Sequence, residues 1–206
     1  MNSARIPKTL HYFWFGKGPK SDLIQKCIGS WKRFLPDYRI IEWSEDNFDV
    51  SCCEYAKQAY ELKKYAFVSD YARLKVLHRY GGIYLDTDVE LIRNLDTLLY
   101  HDVFMGFESD TLVAPGLIIG ARKQNEFLRE LLRVYEDINF AYKNRINLTT
   151  IGEYATARLL KKGLKLNGRY QTPGGVTIYP AEFFCPYDID SGVLHITENT
   201  YSIHRY

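Results

Sequence analysis

The run Ala66-Phe67-Val68-Ser69-Asp70-Tyr71-Ala72-Arg73, followed by Tyr80-Gly81-Gly82-Ile83-Tyr84-Leu85-Asp86-Thr87-Asp88, decides how this chain is read. Over residues 54–80 the apolar side chains Ala56, Ala59, Tyr60, Leu62, Ala66, Leu74 and Leu77 recur at near-helical spacing, with Lys57, Lys63, Lys64 and Lys75 between them. That spacing predicts one long helix. Gly81-Gly82 ends it, as glycine does past a helix C-terminus. Ile83-Tyr84-Leu85 predicts a short buried strand that runs directly into two carboxylates. A helix, a glycine stop and a buried strand make the central step of an α/β domain.

The flanks agree. Residues 9–15 predict a strand closed by Gly16-Lys17-Gly18-Pro19. Ser21 opens an amphipathic helix to about residue 34, and residues 38–43 predict a second strand, so the chain begins β-α-β. Beyond the carboxylates, strands are expected over 103–107, 117–119, 176–179, 193–196 and 201–204, and helices over 125–142 and 153–160. The expected architecture is a single α/β domain over residues 1–206, with a mixed, mostly parallel sheet flanked by helices.

At 206 residues, with 46% hydrophobic and 25% charged side chains, the chain is long and apolar enough to build a core without metal or disulfides. Lys plus Arg number 27 and Asp plus Glu 25, a formal balance of +2 that argues against nucleic acid as the main partner. Aromatics reach 15%, including 17 Tyr, which would suit sugar or base stacking, although composition alone favours a Tyr-rich core and surface. Cys27, Cys52, Cys53 and Cys185 form no C-x-x-C pair, which fits a reduced, cytoplasmic setting. Pro7, Lys8 and His11 interrupt any signal-like apolar run, and no stretch reaches the ~20 apolar residues of a membrane span. A soluble protein, or one at the inner face of a membrane, is expected.

Asp86 and Asp88, at i and i+2 of an extended segment, project to one side. Carboxylates so placed repel unless a cation lies between them. A divalent ion such as Mn²⁺ or Mg²⁺ removes that repulsion and can neutralise charge on a departing diphosphate. Asp70 and Arg73, at i and i+3, share a helix face next to Ser69 and just before Gly81-Gly82, whose missing side chains would let a ligand approach the backbone. A solvated turn and a surface ion pair are the plainer alternatives.

Together with Ile6-Pro7-Lys8-Thr9-Leu10-His11-Tyr12-Phe13-Trp14-Phe15-Gly16 and Ile196-Thr197-Glu198-Asn199-Thr200-Tyr201-Ser202-Ile203-His204, these motifs resemble the sugar-nucleotide glycosyltransferases of family 32, the group of Och1-like mannosyltransferases and bacterial capsule enzymes. The large clostridial glucosylating toxins share a similar core. The resemblance implies a GT-A fold, a nucleotide-sugar donor, a divalent metal and retention of configuration. Carried onto this chain, Trp14 would stack on the base, Asp70 and Arg73 would bind the donor sugar and ribose, and Asp86, Asp88 and His204 would hold the metal. The donor-binding set extends to Phe13, Ser69, Gly82, Tyr84 and Thr87. A UDP-hexose donor, galactose or glucose, is expected, with a glycan or lipid-linked acceptor in bacterial surface polysaccharide synthesis. Members continue past the His with a segment ending in Ser-Trp, so the expectation here is a missing closing tail and weak transfer. Two other functions remain open at this point: a non-catalytic nucleotide-sugar-binding protein, and an Asp-X-Asp phosphatase using Asp188 and Asp190 as its downstream acids.

Overall fold

The computed structural model describes residues 4–143, 145–188 and 192–205. Asp190, one of the acids of the phosphatase alternative, lies outside them, as does the side chain of Asp188. The chain order is β1 (Thr9–Phe13), α1 (Asp22–Phe34), β2 (Arg39–Trp43), α2 (Glu54–Glu61), α3 (Tyr65–Tyr80), β3 (Gly82–Tyr84), β4 (Val89–Leu91), β5 (Val103–Ser109), β6 (Leu112–Val113), β7 (Ile119–Ala121), α4 (Glu126–Glu136), β8 (Ala141–Tyr142), β9 (Arg145–Ile146), α5 (Ile151–Leu160), β10 (Thr177–Tyr179), β11 (Tyr187–Asp188), β12 (Val193–Leu194) and β13 (Ser202–His204).

The main sheet runs β10-β5-β7-β3-β1-β2, with β6 added to β5. β2 and β3 pair parallel to β1, and β10 pairs parallel to β5. Only β7, between β3 and β5, runs against its neighbours along that path. The expected mixed, mostly parallel sheet is therefore present.

Strand side chains alternate between two layers. Phe13, Tyr84, Met105 and Phe107 enter the core beneath α2, α3, α4 and α5. Leu10, Tyr12, Ile83 and Phe104 enter the other, beneath α1, where Trp31 donates its indole N–H to the Val89 carbonyl at 2.7 Å. Helix starts follow from capping: Ser21 Oγ accepts from Ile24 N, Asn125 accepts from Phe127 N and Leu128 N, and Thr150 forms a reciprocal box with Glu153.

Two expected helices differ from those observed. The 54–80 helix is two, broken where Lys63 takes a left-handed φ of 56°. Breaking there lets α3 lie on the sheet while α2 packs on α3. The 125–142 helix stops at Glu136, and Ala141–Tyr142 pairs with Arg145–Ile146 instead.

The glycine pair serves the fold. A Cβ on Gly82 (φ 112°) would lie 2.5 Å from the Thr9 carbonyl and 2.9 Å from His11 Nε2. The space beside Gly82 is thus filled by β1, which corrects the expectation that it admits a ligand. His11 is buried, and its Nδ1 takes the Trp43 indole N–H at 3.1 Å. Its Nε2 is therefore the protonated nitrogen and donates to Gly81 O at 2.9 Å. Burial lowers its pKa to about 4, so it is a neutral cross-tie from β1 to the α3–β3 turn.

Gly82→Ala is expected to lower the free energy of unfolding by about 2–4 kcal/mol, because it adds a left-handed-region penalty to a backbone clash. Gly29→Ala, on the exposed side of α1 with nothing within 4 Å of the new Cβ, should raise stability by about 0.5–1 kcal/mol. Urea denaturation of both variants checks the pair, and equal effects of one sign would contradict it.

Candidate active site

A cavity of about 720 Å³ opens where β1 and β3 end. Phe13 and Trp14 reach it from the end of β1, and Ser69, Asp70 and Arg73 from α3. Tyr84, Asp86, Thr87 and Asp88 come from β3 and the turn after it, and His204 from β13. Of the residues expected from the sequence, only Gly82 is absent from its wall.

Arg73 lies at the centre. Its side chain is 4% exposed, and it is not a surface partner. Nη2 pairs with Asp70 Oδ1 at 2.9 Å and Nη1 with Asp86 Oδ1 at 3.4 Å. Nε donates to Ser69 O at 3.0 Å, Nη1 also to Pro115 O at 3.4 Å, and the guanidinium stands over the Tyr84 ring at 4.3 Å. The Tyr84 hydroxyl donates to Asp86 Oδ1 as well. Burial opposes the charge on Arg73, but Asp86, Tyr84 and Asp70 hold its pKa above the ordinary value. The expectation that Arg73 reaches out to the donor is modified: of its five N–H groups two hold carboxylates and two hold backbone carbonyls.

Asp70 is the more costly of these. Burial raises its carboxyl to about 6, against the opposing pull of Arg73. Its Oδ2 accepts from Ile151 N at 3.2 Å, in the first turn of α5. Burial raises Asp86 also.

Asp88 is handled differently. β13 pairs antiparallel with β4, setting His204 opposite Val89. His204 Nε2 thereby lies 3.3 Å from Asp88 Oδ1. Burial opposes both charges, yet the contact keeps Asp88 below the usual carboxylate range. Asp88, with Cys185 and Asp86, raises His204 to about 10. The pair is an imidazolium and a carboxylate.

Among the described residues no group of three His, Cys, Asp or Glu side chains is gathered at metal-ligand spacing. The expected trio of Asp86, Asp88 and His204 is therefore not pre-formed, because Arg73 and Tyr84 hold Asp86 to themselves. The donor chemistry still fits a hard divalent ion. Asp88 Oδ1 is buried without a well-formed hydrogen bond, and a carboxylate oxygen beside an imidazole suits Mn²⁺.

Trp14 is half-buried, with Nε1 donating to Gly18 O at 2.7 Å and Lys20 Nζ 5.3 Å from its ring. It is a rim residue and not a core one. Phe13 is core, packed with Phe15, Phe48 and Tyr84. Ser69 Oγ donates to Tyr65 O. The wall that sequence reasoning missed is the turn Ala114-Pro115-Gly116. Gly116 O accepts from Asp86 N at 3.2 Å, and a Cβ on Gly116 would fall 2.6 Å from Asp86 Oδ2. A Pro-Gly dipeptide signals a turn but not what it faces. Of the two acids at the end of β5, Glu108 lines the cavity and Asp110, just past it, does not.

With this geometry in place, comparison with known proteins is informative. Residues 21–105 match the glycosyltransferase sugar-binding region containing a DXD motif, which includes Asp70, Arg73, Asp86 and Asp88. The chain is 27% identical over 151 residues to inositol phosphoceramide mannosyltransferase 3 of Schizosaccharomyces pombe, covering 68% of this chain and 40% of that protein. It is 30% identical over 121 residues to lactosylceramide 4-alpha-galactosyltransferase of Rattus norvegicus, covering 58% and 31%. The chain thus spans under half the length of these relatives. Among solved structures, the PaToxG glycosyltransferase superposes with a TM-score of 0.56 at 19% identity, over 74% of this chain and 68% of that one. Residues 21–105 are thus similar to the sugar-binding region of DXD-motif glycosyltransferases, and the fold is the GT-A fold. The bacterial capsule setting expected from the sequence has no counterpart in the two relatives named, which are eukaryotic and carry ceramide lipids in their names.

Two expectations follow. Asp70 binds its proton more tightly in the folded state than the ordinary 3.8 of the unfolded chain, so stability should fall as pH rises from about 4 to about 6 and level off above. Asp70→Asn should remove that component, on the order of 2–3 kcal/mol, in denaturation curves taken across the range. Gly116→Ala should displace Asp86, lower the melting temperature by loosening the Arg73 clamp, and weaken nucleotide binding at least tenfold in calorimetry; unaltered affinity would show that Asp86 does not need its present position.

Proposed function

We propose that the protein transfers a hexose from a nucleoside-diphosphate sugar to a hydroxyl of a glycan or lipid-linked acceptor, with a UDP-hexose as donor and a divalent metal. The observation that carries this reading is the Arg73 clamp, which fixes Asp70 and Asp86 on the cavity floor beside Asp88 and His204. The cavity volume suits a sugar nucleotide. Trp14 at the rim offers an aromatic face for the base. Asp88 and His204 would hold the metal, whose charge would offset that of the diphosphate. Asp70 and Asp86 then orient the sugar hydroxyls at the floor, and Arg73 keeps both carboxylates ionised and aimed. The relatives' names support hexosyl transfer and a lipid-linked acceptor as one form of the substrate. The sugar itself is left between galactose, glucose and mannose, of which the uridine-linked hexoses are favoured. A site at the inner face of a membrane is consistent with such an acceptor, and no described helix is long and apolar enough to cross one.

Calorimetry with UDP and GDP, each in Mn²⁺ and in EDTA, tests the reading. UDP should bind at least tenfold more tightly with Mn²⁺, and Asp88→Asn should erase that gain while leaving the EDTA value in place. Equal affinity with and without metal would overturn the metal's part, and tight GDP binding with none of UDP would overturn the choice of donor.

A further inference from the structure

The cavity holds a fourth carboxylate that donor binding does not use. Glu108 lines it from β5, a different element from those that carry Asp70, Asp86 and Asp88. Its place there depends on an irregularity in the sheet. β5 meets β6 at Phe107–Val113 and again at Ser109–Leu112, so β5 spends two residues where β6 spends one. Glu108 is the extra residue of a β-bulge. A bulge takes its residue out of the ladder, bends the strand and re-aims the side chain.

The neighbouring residues of β5 show what the regular ladder would do. Val103, Met105 and Phe107 enter the core beneath the helices, and Phe104 enters the opposite layer. Strict alternation would send Glu108 to the Phe104 side. Glu108 lines the cavity at the strand ends, as do Phe13 and Tyr84 of the helix-side layer.

A carboxylate in this position is a poor neighbour for a diphosphate, which it repels. It is a good one for a neutral, hydroxyl-bearing molecule, from which it accepts hydrogen bonds. The wall next to it is apolar, made of Leu112, Ala114 and Leu117, and suits the C–H face of a sugar ring.

Resting on the transferase reading above, we propose that Glu108 is the acceptor-side catalytic residue. Its carboxylate accepts a hydrogen bond from the attacking hydroxyl of a carbohydrate acceptor and aims that oxygen at the anomeric carbon of the donor. The hydroxyl oxygen forms the new bond to that carbon. The bond from the carbon to the diphosphate oxygen breaks, its electron pair leaves with the diphosphate, and the hydroxyl proton passes to the departing diphosphate. Glu108 gains and loses nothing over the turnover; its contribution is orientation of the nucleophile.

The test uses the full chain with UDP-glucose, UDP-galactose and GDP-mannose as donors and n-octyl β-D-lactoside and n-octyl α-D-mannoside as acceptor probes, product being read by mass spectrometry. With the best donor and acceptor, Glu108→Gln should lower kcat about 100-fold and raise the acceptor KM at least fivefold. UDP affinity in Mn²⁺ should stay within twofold. Glu108→Asp, one methylene shorter, should recover less than a tenth of the lost rate. Asp110→Asn, outside the cavity, should match the unaltered protein and so separate the site from general disturbance of β5. Glu108→Gln at full rate with an unchanged acceptor KM, or a loss traced wholly to UDP affinity, would overturn the role of Glu108 and leave the transferase reading standing. No transfer by the unaltered protein from any donor to either probe would count against the transferase reading, and the assignment of Glu108 would fall with it.

Discussion

One guanidinium shared between two carboxylates holds this molecule's site and its core together. Removing Asp70 and Asp86 from water without compensation would cost several kcal/mol each, and both would take up protons instead. Arg73 repays that cost better because two further donors are satisfied by the Ser69 and Pro115 carbonyls. Through these contacts it joins α3, the end of β3 and the turn before β7. Asp70 extends the same network to α5 by accepting from Ile151 N. Four separate elements thus converge on one cation, and the cavity is the space they leave.

The second pair obeys a different logic. Asp88 is matched at close range by His204, across a two-stranded sheet that is separate from the main one. An imidazolium can surrender its proton and serve as a metal ligand, and a guanidinium cannot. The site therefore combines a fixed cation at its floor with an exchangeable one at its edge. Such a division suits a ligand whose sugar must be held in one orientation and whose diphosphate arrives with a metal ion.

Much of this was legible in the sequence because it is local. Asp70 and Arg73 share a helix face by their spacing, and Asp86 and Asp88 follow a buried strand within three residues. His204 could be placed beside them only through the family resemblance, since nothing in residues 201–204 says which strand they will meet. The features that were missed depend on contacts distant in sequence or on unusual backbone. Lys63 adopts a left-handed φ that no residue type announces, so one helix was expected where two pack. Gly81-Gly82 was read as room for a ligand, when Thr9 and His11 occupy the space. Pro115-Gly116 marked a turn without revealing that Asp86 would lean against it. The bulge at Glu108 leaves no trace in hydrophobic periodicity, because it is a property of the pairing of β5 with β6 and not of either strand.

The pairing of β13 with β4 has a consequence for how the protein is made. Asp88 and its partner His204 are separated by more than half of the chain. During synthesis the Arg73 cluster can close once α5 has emerged, because all its members lie at or before Ile151. Asp88 must wait until β13 is free to dock, and only then does Arg205 N reach the Asp88 carbonyl at 3.0 Å. Closing so long a loop costs little more entropy than closing a shorter one, so the delay is one of order and not of stability. The edge made by Asp88 and His204 is therefore the last part of the site to form, after the floor around Arg73 has closed.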